Sequence, residues 1–137
     1  MNRMELQQLA ELRVQEAKCL LSASLYDGAY YLCGYAVECA LKACIAKKTR
    51  EHDFPDLELV QGSYTYKLQK LIDVAGLEQV WRHHCDQNPT FRAYWNTVKD
   101  WRETGRYQRH DEFKARALIE AVTDPQEGVL SWLKGLY

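Results

Sequence analysis

The segment from Tyr30 to Ile45, YYLCGYAVECALKACI, constrains the fold more than any other part of the chain. Nearly all of its residues are apolar or small, and a helix that is apolar on every side belongs at the buried centre of a domain. The segment still carries one carboxylate, Glu38, and one ammonium, Lys42, which stand four residues apart and so share one helix face. Buried charges are rare unless they are paired. We therefore expect a central helix whose charged pair is either a structural ion pair or part of a functional site.

The composition is that of one ordinary globular domain. The chain has 137 residues, 47% hydrophobic and 27% charged, which is enough apolar material for one core, and we expect a single domain over residues 1–137. A formal net charge of −1 gives no overall field that attracts nucleic acid or membrane, so such contacts need a local patch. Residues 29–46 approach the length of a membrane span, but Glu38 and Lys42 would each cost about 3 kcal/mol there. We expect a soluble, cytoplasmic protein that makes no membrane contact.

The cysteine pattern favours reduced thiols over disulfide bonds. The five cysteines form no CxxC pair, and an odd number behind a charged N-terminal segment is typical of a cytosolic protein. Only His83-His84-Cys85 suggests a metal site. Adjacent helical residues point about 100° apart, however, and no second ligand pair stands at zinc-site spacing. We predict no metal and no cofactor.

Apolar residues recur at helical spacing along most of the chain, and no alternating strand pattern is present. A long amphipathic helix is predicted over 4–26, a break at Asp27-Gly28, and the apolar helix over 29–47. Two long helices joined by so short a turn lie antiparallel. Further predicted features are a surface loop over 48–65 and helices over 66–75 (Thr65 cap, Gly76 stop), 77–84, 88–101 (Asn88-Pro89 start), 110–122 (Phe113 on its apolar face) and 128–137 (after Asp124-Pro125). The predicted fold is an all-α, up-and-down bundle of four to six helices with a long antiparallel N-terminal pair.

Four separated blocks of the sequence form a recognisable order. They are the opening amphipathic helix, DGAYYLCGYAVECALKA, YTYKLQKLIDVAGL, and WRETGRY followed by a helix that ends in GVLSWL. Together they resemble the HEPN family. The resemblance covers most of the chain and implies a helical bundle that forms homodimers. It further implies a prokaryotic toxin-antitoxin or defence module, often with a nucleotidyltransferase partner, and RNA or a nucleotide as ligand. Many members of the family are metal-independent ribonucleases.

The ribonuclease motif of the family is altered in this chain. In active relatives an Arg is followed, after four to six residues, by a His, and the motifs of two protomers pair at the dimer interface. Here Tyr107 follows Arg102 after four intervening residues, and His110 follows Arg102 after seven intervening residues and Arg106 after only three. Tyr64-Thr65-Tyr66 also stands where many relatives have Tyr-Thr-His. The arginines are kept and the histidine is displaced.

Metal-free RNA cleavage needs a base, an acid and a cation beside the phosphate, and His and Arg suit these roles. The candidate catalytic residues are Arg102, Arg106 and His110. The candidate RNA-binding or nucleotide-binding residues are Trp101, Arg102, Arg106, Tyr107 and Arg109, because arginines bind phosphate and aromatic rings stack on bases. The alternative, a solvated helix start with packed aromatic rings, stays open. Between residues 99 and 116 the six cations exceed the four acids by only two.

Glu38 and Lys42 are expected to pair with each other or with the late arginines. In the second case they would orient the guanidinium of Arg102 or Arg106. The resemblance also makes Tyr107 a candidate target for nucleotide attachment by a partner enzyme. The predicted function is a dimeric protein that binds RNA or a nucleotide. The alternatives are an active endoribonuclease toxin and a non-catalytic adaptor for a nucleotidyltransferase.

Overall fold

The computed structural model describes residues 1–51, 67–102 and 107–137, and all regular structure within them is helical. The helices are α1 (Arg3–Ser22), α2 (Tyr26–Glu51), α3 (Leu68–Val74), α4 (Glu78–Gln87), α5 (Pro89–Val98), α6 (Glu112–Thr123) and α7 (Val129–Lys134). The predicted all-α bundle is confirmed. Its described part has seven helices, where four to six were expected, because Gly76 separates α3 from α4 and Pro89 begins α5 directly after α4. Within these residues no helix is both long and apolar enough to cross a membrane.

The two N-terminal helices pack against each other in opposite directions. Leu20, near the end of α1, lies against Gly28 at the start of α2. Met4, at the start of α1, lines one cleft together with Ala46 near the end of α2. This crossing order confirms the predicted antiparallel pair. The buried residues of α1 are Ala10, Val14 and Ala17.

The turn between these helices lies earlier than the sequence pattern predicted. Ser24 adopts a left-handed φ of 61°, and the residues expected to break the chain, Asp27 and Gly28, lie in the first turn of α2. A Cβ at Gly28 would meet Leu20 Cδ1 at 3.0 Å, so this glycine permits close helix packing instead of a break. A carboxylate such as Asp27 is also favourable at a helix N-terminus. The predicted break at Asp27-Gly28 is therefore wrong.

The central position of α2 explains its apolar sequence. It packs against α1, α3, α6 and α7, and the side chains of Val37 and Leu41 are completely buried. Glu38 is 2% exposed, and its Oε1 accepts a hydrogen bond from Lys42 Nζ at 2.9 Å. The two charges of the opening segment thus form an ion pair along one face of the central helix.

Trp101, which follows α5, is anchored across the same helix. Its side chain is completely buried and packs on Tyr31, with the ring centroids 5.8 Å apart. A Cβ at Gly34 would lie only 2.2 Å from the indole Cδ1. The glycine in the middle of α2 is thus required by the ring that crosses it. This contact fixes the chain immediately before Arg102.

Helix α3 begins later than predicted and ends where predicted. Its N-cap is Lys67, so Thr65, which lies outside the described residues, is not the cap. Gly76 has a φ of +73°, and the next residue, Leu77, donates its N–H to the carbonyl of Ile72. This is the bond pattern of a glycine-terminated helix. The predicted loop over 48–65 also falls outside the description, except for residues 48–51, which continue α2.

The capping residues of the later helices were predicted only in part from the sequence. Asn88 is the N-cap residue of α5 and Pro89 its first residue, as predicted, but the Asn88 side-chain amide donates back to the carbonyl of His84 and makes no capping hydrogen bond. Asp111 caps α6 through the N–H of Lys114. Asp124 is the C-cap residue of α6 and does not cap α7, whose N-cap is Gly128. Its carboxylate accepts two backbone N–H groups of the turn before α7.

Four of the five cysteines behave as small core residues. Cys33, Cys39, Cys44 and Cys85 are buried, whereas Cys19 is exposed on α1. Burial raises the pKa of the Cys39 thiol to about 12 and that of Cys44 to about 11. In the part of the chain that the structure describes, no three His, Cys, Asp or Glu side chains are grouped to hold a metal ion.

Candidate nucleic-acid interface

The segment that leads into α6 is held against the first turn of α2 by Asp27. Asp27 Oδ1 accepts the backbone N–H of His110, and Oδ2 accepts Nε of Arg109 at 2.9 Å. Two consecutive residues, both singled out from the sequence, thus bind the two oxygens of one carboxylate. This arrangement fixes the backbone at His110 and one edge of the Arg109 guanidinium.

The imidazole of His110 is also held by a ring contact. It stacks on the ring of Tyr30, with centroids 3.9 Å apart and planes 19° from parallel. Tyr30 follows Asp27 by three residues and therefore lies on the same face of α2. Burial, with the nearby Asp100 carboxylate and Cys33, raises the pKa of the Tyr30 hydroxyl. The phenol stays neutral at physiological pH, and His110 packs on an uncharged ring.

A small surface pocket lies beside these contacts. Its volume is about 240 Å³, and it joins the turn between α1 and α2 to the segment before α6. The Arg109 side chain is 96% exposed, and Asp27 engages it through Nε. The terminal Nη groups of that guanidinium can therefore reach a ligand. The pocket is lined by Ser24, Leu25, Tyr26, Asp27, Gly28, Arg109 and His110.

The charges around the pocket largely compensate one another. Besides the pair between Arg109 and Asp27, Arg116 pairs with Glu112 at 2.7 Å. The hydroxyl of Tyr26 donates to Glu112 as well, and these hydrogen bonds from Arg116 and Tyr26 lower the pKa of the Glu112 carboxyl. An anion at this end would thus be held by specific guanidinium contacts and not by a strong basic field, in line with the small excess of cations in the sequence.

The other predicted site residues that the structure describes lie in different environments. Arg102 is exposed, and its Nη1 donates to the carbonyls of Lys99 and Trp101, at 3.0 and 3.3 Å. Tyr107 is 78% exposed. Arg106 lies outside the described residues, as does the Tyr64-Thr65-Tyr66 stretch. Trp101 is completely buried, so its predicted use as a stacking platform is wrong and the packing alternative applies.

Glu38 and Lys42 pair with each other, as one of the two sequence interpretations expected. Glu38 lies eleven residues after Asp27, which corresponds to about 16 Å along the α2 axis. The pair is thus far from the carboxylate that holds Arg109. Its expected role in orienting Arg102 or Arg106 stays a prediction.

Sequence reasoning assigned Phe113 to the buried face of α6, but its side chain is 80% exposed. The core-facing stripe of α6 is set by Ala115, Leu118, Ile119 and Val122, which follow helical spacing. Phe113 precedes Ala115 by two residues and so points to the opposite side. Its exposed ring lies next to Glu112, which contacts Tyr26 beside the pocket.

Two further residues of this end, Asp27 and Tyr30, were missed as site residues. Asp27 was interpreted as part of a turn and Tyr30 as the first residue of the apolar segment that forms the central helix. Their spacing of three residues at the start of a helix was visible in the sequence. It gave no sign of their partners, which lie about eighty residues later in the chain.

The model of the HEPN domain matches residues 4–136 of this chain. The chain belongs to the HEPN family. The match runs from α1 to α7 and so includes the helix pair, the central ion pair and the pocket, which confirms the family resemblance of the four sequence blocks. Membership of the HEPN family supports a role connected with nucleotides or RNA. No curated protein and no solved structure was found to match the chain.

Proposed function

We propose that this HEPN protein binds RNA or a nucleotide as a homodimer, at the end of the bundle where Arg109 and His110 meet Asp27. The observation that carries the proposal is the fixed pair of Arg109 and His110 beside an open pocket. An exposed guanidinium that is held through Nε presents terminal N–H groups suited to bidentate phosphate binding. Arg102, exposed after α5, and the neighbouring Arg106 of the sequence would extend this contact along an RNA backbone.

Exposed apolar side chains at the same end support an interface there. Leu25, Tyr107 and Phe113 are 56%, 78% and 80% exposed. Large apolar side chains among arginines are typical of interaction surfaces, and aromatic rings stack on unpaired bases. A second copy of the chain packed at this end would cover part of the apolar surface. It would also bring two Arg109–His110 pairs to one groove.

The family supports a place for such a protein in a prokaryotic toxin-antitoxin or defence module. In that setting a nucleotidyltransferase would be the protein partner, and the exposed hydroxyl of Tyr107 would be the group that it modifies. Purification of the protein together with the product of the neighbouring gene, followed by intact-mass measurement, tests this part. A mass increase of one nucleotide that is absent from Tyr107→Phe is the expected result, and an unmodified chain in the presence of active enzyme contradicts it.

RNA binding is tested by fluorescence anisotropy with a labelled single-stranded 20-nucleotide RNA at several salt concentrations. We expect Arg109→Ala to weaken binding and to reduce the salt slope by somewhat under one unit, since one phosphate contact is lost. The matched control is Arg82→Ala, which removes another exposed, ion-paired arginine from α4. Absence of binding by the wild-type protein at low salt would contradict the proposal, as would equal effects of the two substitutions.

Dimer formation is tested separately by light scattering coupled to size-exclusion chromatography. Phe113→Asp places a charge on the exposed ring position and is expected to shift a dimer toward monomer. A matched charge at another exposed apolar position, Val80→Asp on α4, is expected to leave the dimer intact. A wild-type monomer at micromolar concentration would contradict the homodimer.

Metal-independent RNA cleavage is the second candidate, because His110 lines the same pocket as Arg109. In this candidate the imidazole takes the 2′-hydroxyl proton, the 2′-oxygen bonds to phosphorus as the P–O5′ bond breaks, and water protonates the departing 5′-oxygen. The guanidinium stabilises charge on the phosphate. Incubation of RNA with the purified protein and EDTA should yield fragments that are lost with His110→Asn. Intact RNA with a wild-type protein that binds it would exclude this candidate while leaving the binding function in place.

A further inference from the structure

We propose that Asp27 is a positioning residue of this site, which sets Arg109 and His110 side by side so that both can meet one phosphate group of the bound RNA. The inference rests on the proposed function and adds to it a residue that lies far from the Arg–His segment in the sequence. Asp27 itself is half-exposed and carries the same charge as the ligand, so its contribution is to the arrangement of its neighbours.

The two carboxylate oxygens of Asp27 bind different residues of the segment before α6. Oδ2 binds the Arg109 side chain and Oδ1 binds the His110 main chain. A side chain that is 96% exposed has no packing to restrict it, so the contact to Nε is what orders the guanidinium within the described structure. Ordering before binding removes an entropic penalty that the ligand contact would otherwise have to overcome.

The residues that hold His110 both lie on a rigid element of the fold. Asp27 and Tyr30 lie on one face of α2, the central helix of the bundle. One of them holds the backbone of His110, and the other stacks on its ring. Because both supports come from the same helix, the imidazole is fixed relative to the core and not merely to a surface loop.

Asp27 also acts on an anionic ligand through its charge, and the two effects have opposite signs. Removal of the carboxylate charge lowers the repulsion of phosphate and favours binding. Loss of the bond to the His110 N–H releases the segment and disfavours binding. Asp27→Asn removes the charge but keeps an oxygen that can accept this N–H, whereas Asp27→Ala removes both. The two variants have the same charge, and neither can accept from Arg109 Nε while the His110 N–H is bound, because asparagine has a single acceptor oxygen. The difference between them therefore isolates the positioning of the His110 segment.

The test compares the RNA affinities of Asp27→Asn and Asp27→Ala in the same anisotropy assay. One backbone hydrogen bond corresponds to a change of about five-fold, so we expect Asp27→Ala to bind about five-fold more weakly than Asp27→Asn. The control pair is Asp124→Asn and Asp124→Ala, where a carboxylate binds backbone N–H groups at the opposite end of α6. These two variants should have the same RNA affinity, and a five-fold difference between them as well would overturn the positioning role.

A second readout does not depend on RNA. In the wild-type protein the Tyr30 ring lies over His110, so the imidazole protons should show an upfield ring-current shift by NMR. We expect Asp27→Asn to keep this shift and Asp27→Ala to lose most of it, in protein shown by circular dichroism to be folded. Equal ring shifts in the two variants, or equal RNA affinities, would overturn the inference. If the wild-type protein binds no RNA, the proposed function fails and the ring shifts alone decide whether Asp27 positions His110.

Discussion

The contact between Gly34 and Trp101 makes Gly34→Ala the substitution with the clearest expected effect on stability. A Cβ at position 34 would lie 2.2 Å from Cδ1 and 2.3 Å from Cγ of the indole. Non-bonded carbon atoms normally rest about 3.5–4.0 Å apart, so the ring would have to move by more than an ångström. Trp101 is completely buried and packs on Tyr31, and such a movement disturbs the core around it.

The magnitude follows from two limiting cases. If the ring shifts within the core, overpacking costs about 1–3 kcal/mol. If the ring is expelled, the loss resembles a Trp→Ala change of about 3–5 kcal/mol. Alanine returns up to about 1 kcal/mol through its better helix propensity. We expect a net loss of about 2 kcal/mol in the free energy of unfolding, which lowers the urea midpoint by about 1–2 M.

Urea unfolding monitored by far-UV circular dichroism measures this loss. The control is Gly135→Ala, where the added Cβ would meet only the Trp132 carbonyl oxygen at an ordinary 3.5 Å, and we expect a change below about 0.5 kcal/mol. In a Trp101→Leu background the cost of Gly34→Ala should shrink, because the smaller side chain leaves room. A Gly34→Ala protein as stable as the wild type would refute the reasoning. So would an unchanged cost in the Trp101→Leu background.

Two further predictions concern charged groups. Asp124 accepts hydrogen bonds from the backbone N–H groups of the turn before α7 and from Tyr94, which lower its pKa from the ordinary 3.8. Its stabilising effect is therefore complete above that pH and is lost as the pH falls through the lower, folded-state value. Asp124→Asn should remove this part of the acid dependence. The urea midpoint of each protein is measured at neutral pH and at pH 3 and below, and an equal fall in the midpoint for the wild type and for Asp124→Asn would contradict this prediction. Lys42→Met should destabilise the protein more than Glu38→Gln does, by about 1–2 kcal/mol, because the carboxylate is the more buried partner of the pair; thermal or urea unfolding measures both, and the reverse order would contradict this account.

The fold was largely predictable because its main signals are local. The apolar run from Tyr30 to Ile45 predicted the central helix, and Gly76 and Pro89 marked helix ends that the structure has. The turn signal at Asp27-Gly28 failed because distant residues determine the local structure there. Leu20 packs over the glycine, and Arg109 with His110 binds the aspartate. A sequence window of a few residues contains neither partner.

The site was predictable in residue type but not in arrangement. The sequence identified Arg109 and His110 as candidates, yet gave no means to find the carboxylate that joins them. The roles of two aromatic residues were reversed, with Trp101 buried and Phe113 exposed. The exposure of Phe113 depends on which residues of α6 face the core. If the core-facing residues are assigned two positions away from their true places, a side chain is assigned to the opposite face of the helix. The burial of Trp101 depends on Gly34, which lies 67 residues earlier in the sequence.

The cysteine distribution offers a direct route to the quaternary structure. Four thiols are buried within the helices, where deprotonation is suppressed, and Cys19 alone among the five is exposed on α1. A maleimide or methanethiosulfonate spin label applied to the native protein will therefore react at one place per chain, without removal of the other cysteines. In a homodimer the two labels give one interspin distance. Double electron–electron resonance on the unmutated chain therefore constrains how the two bundles are arranged.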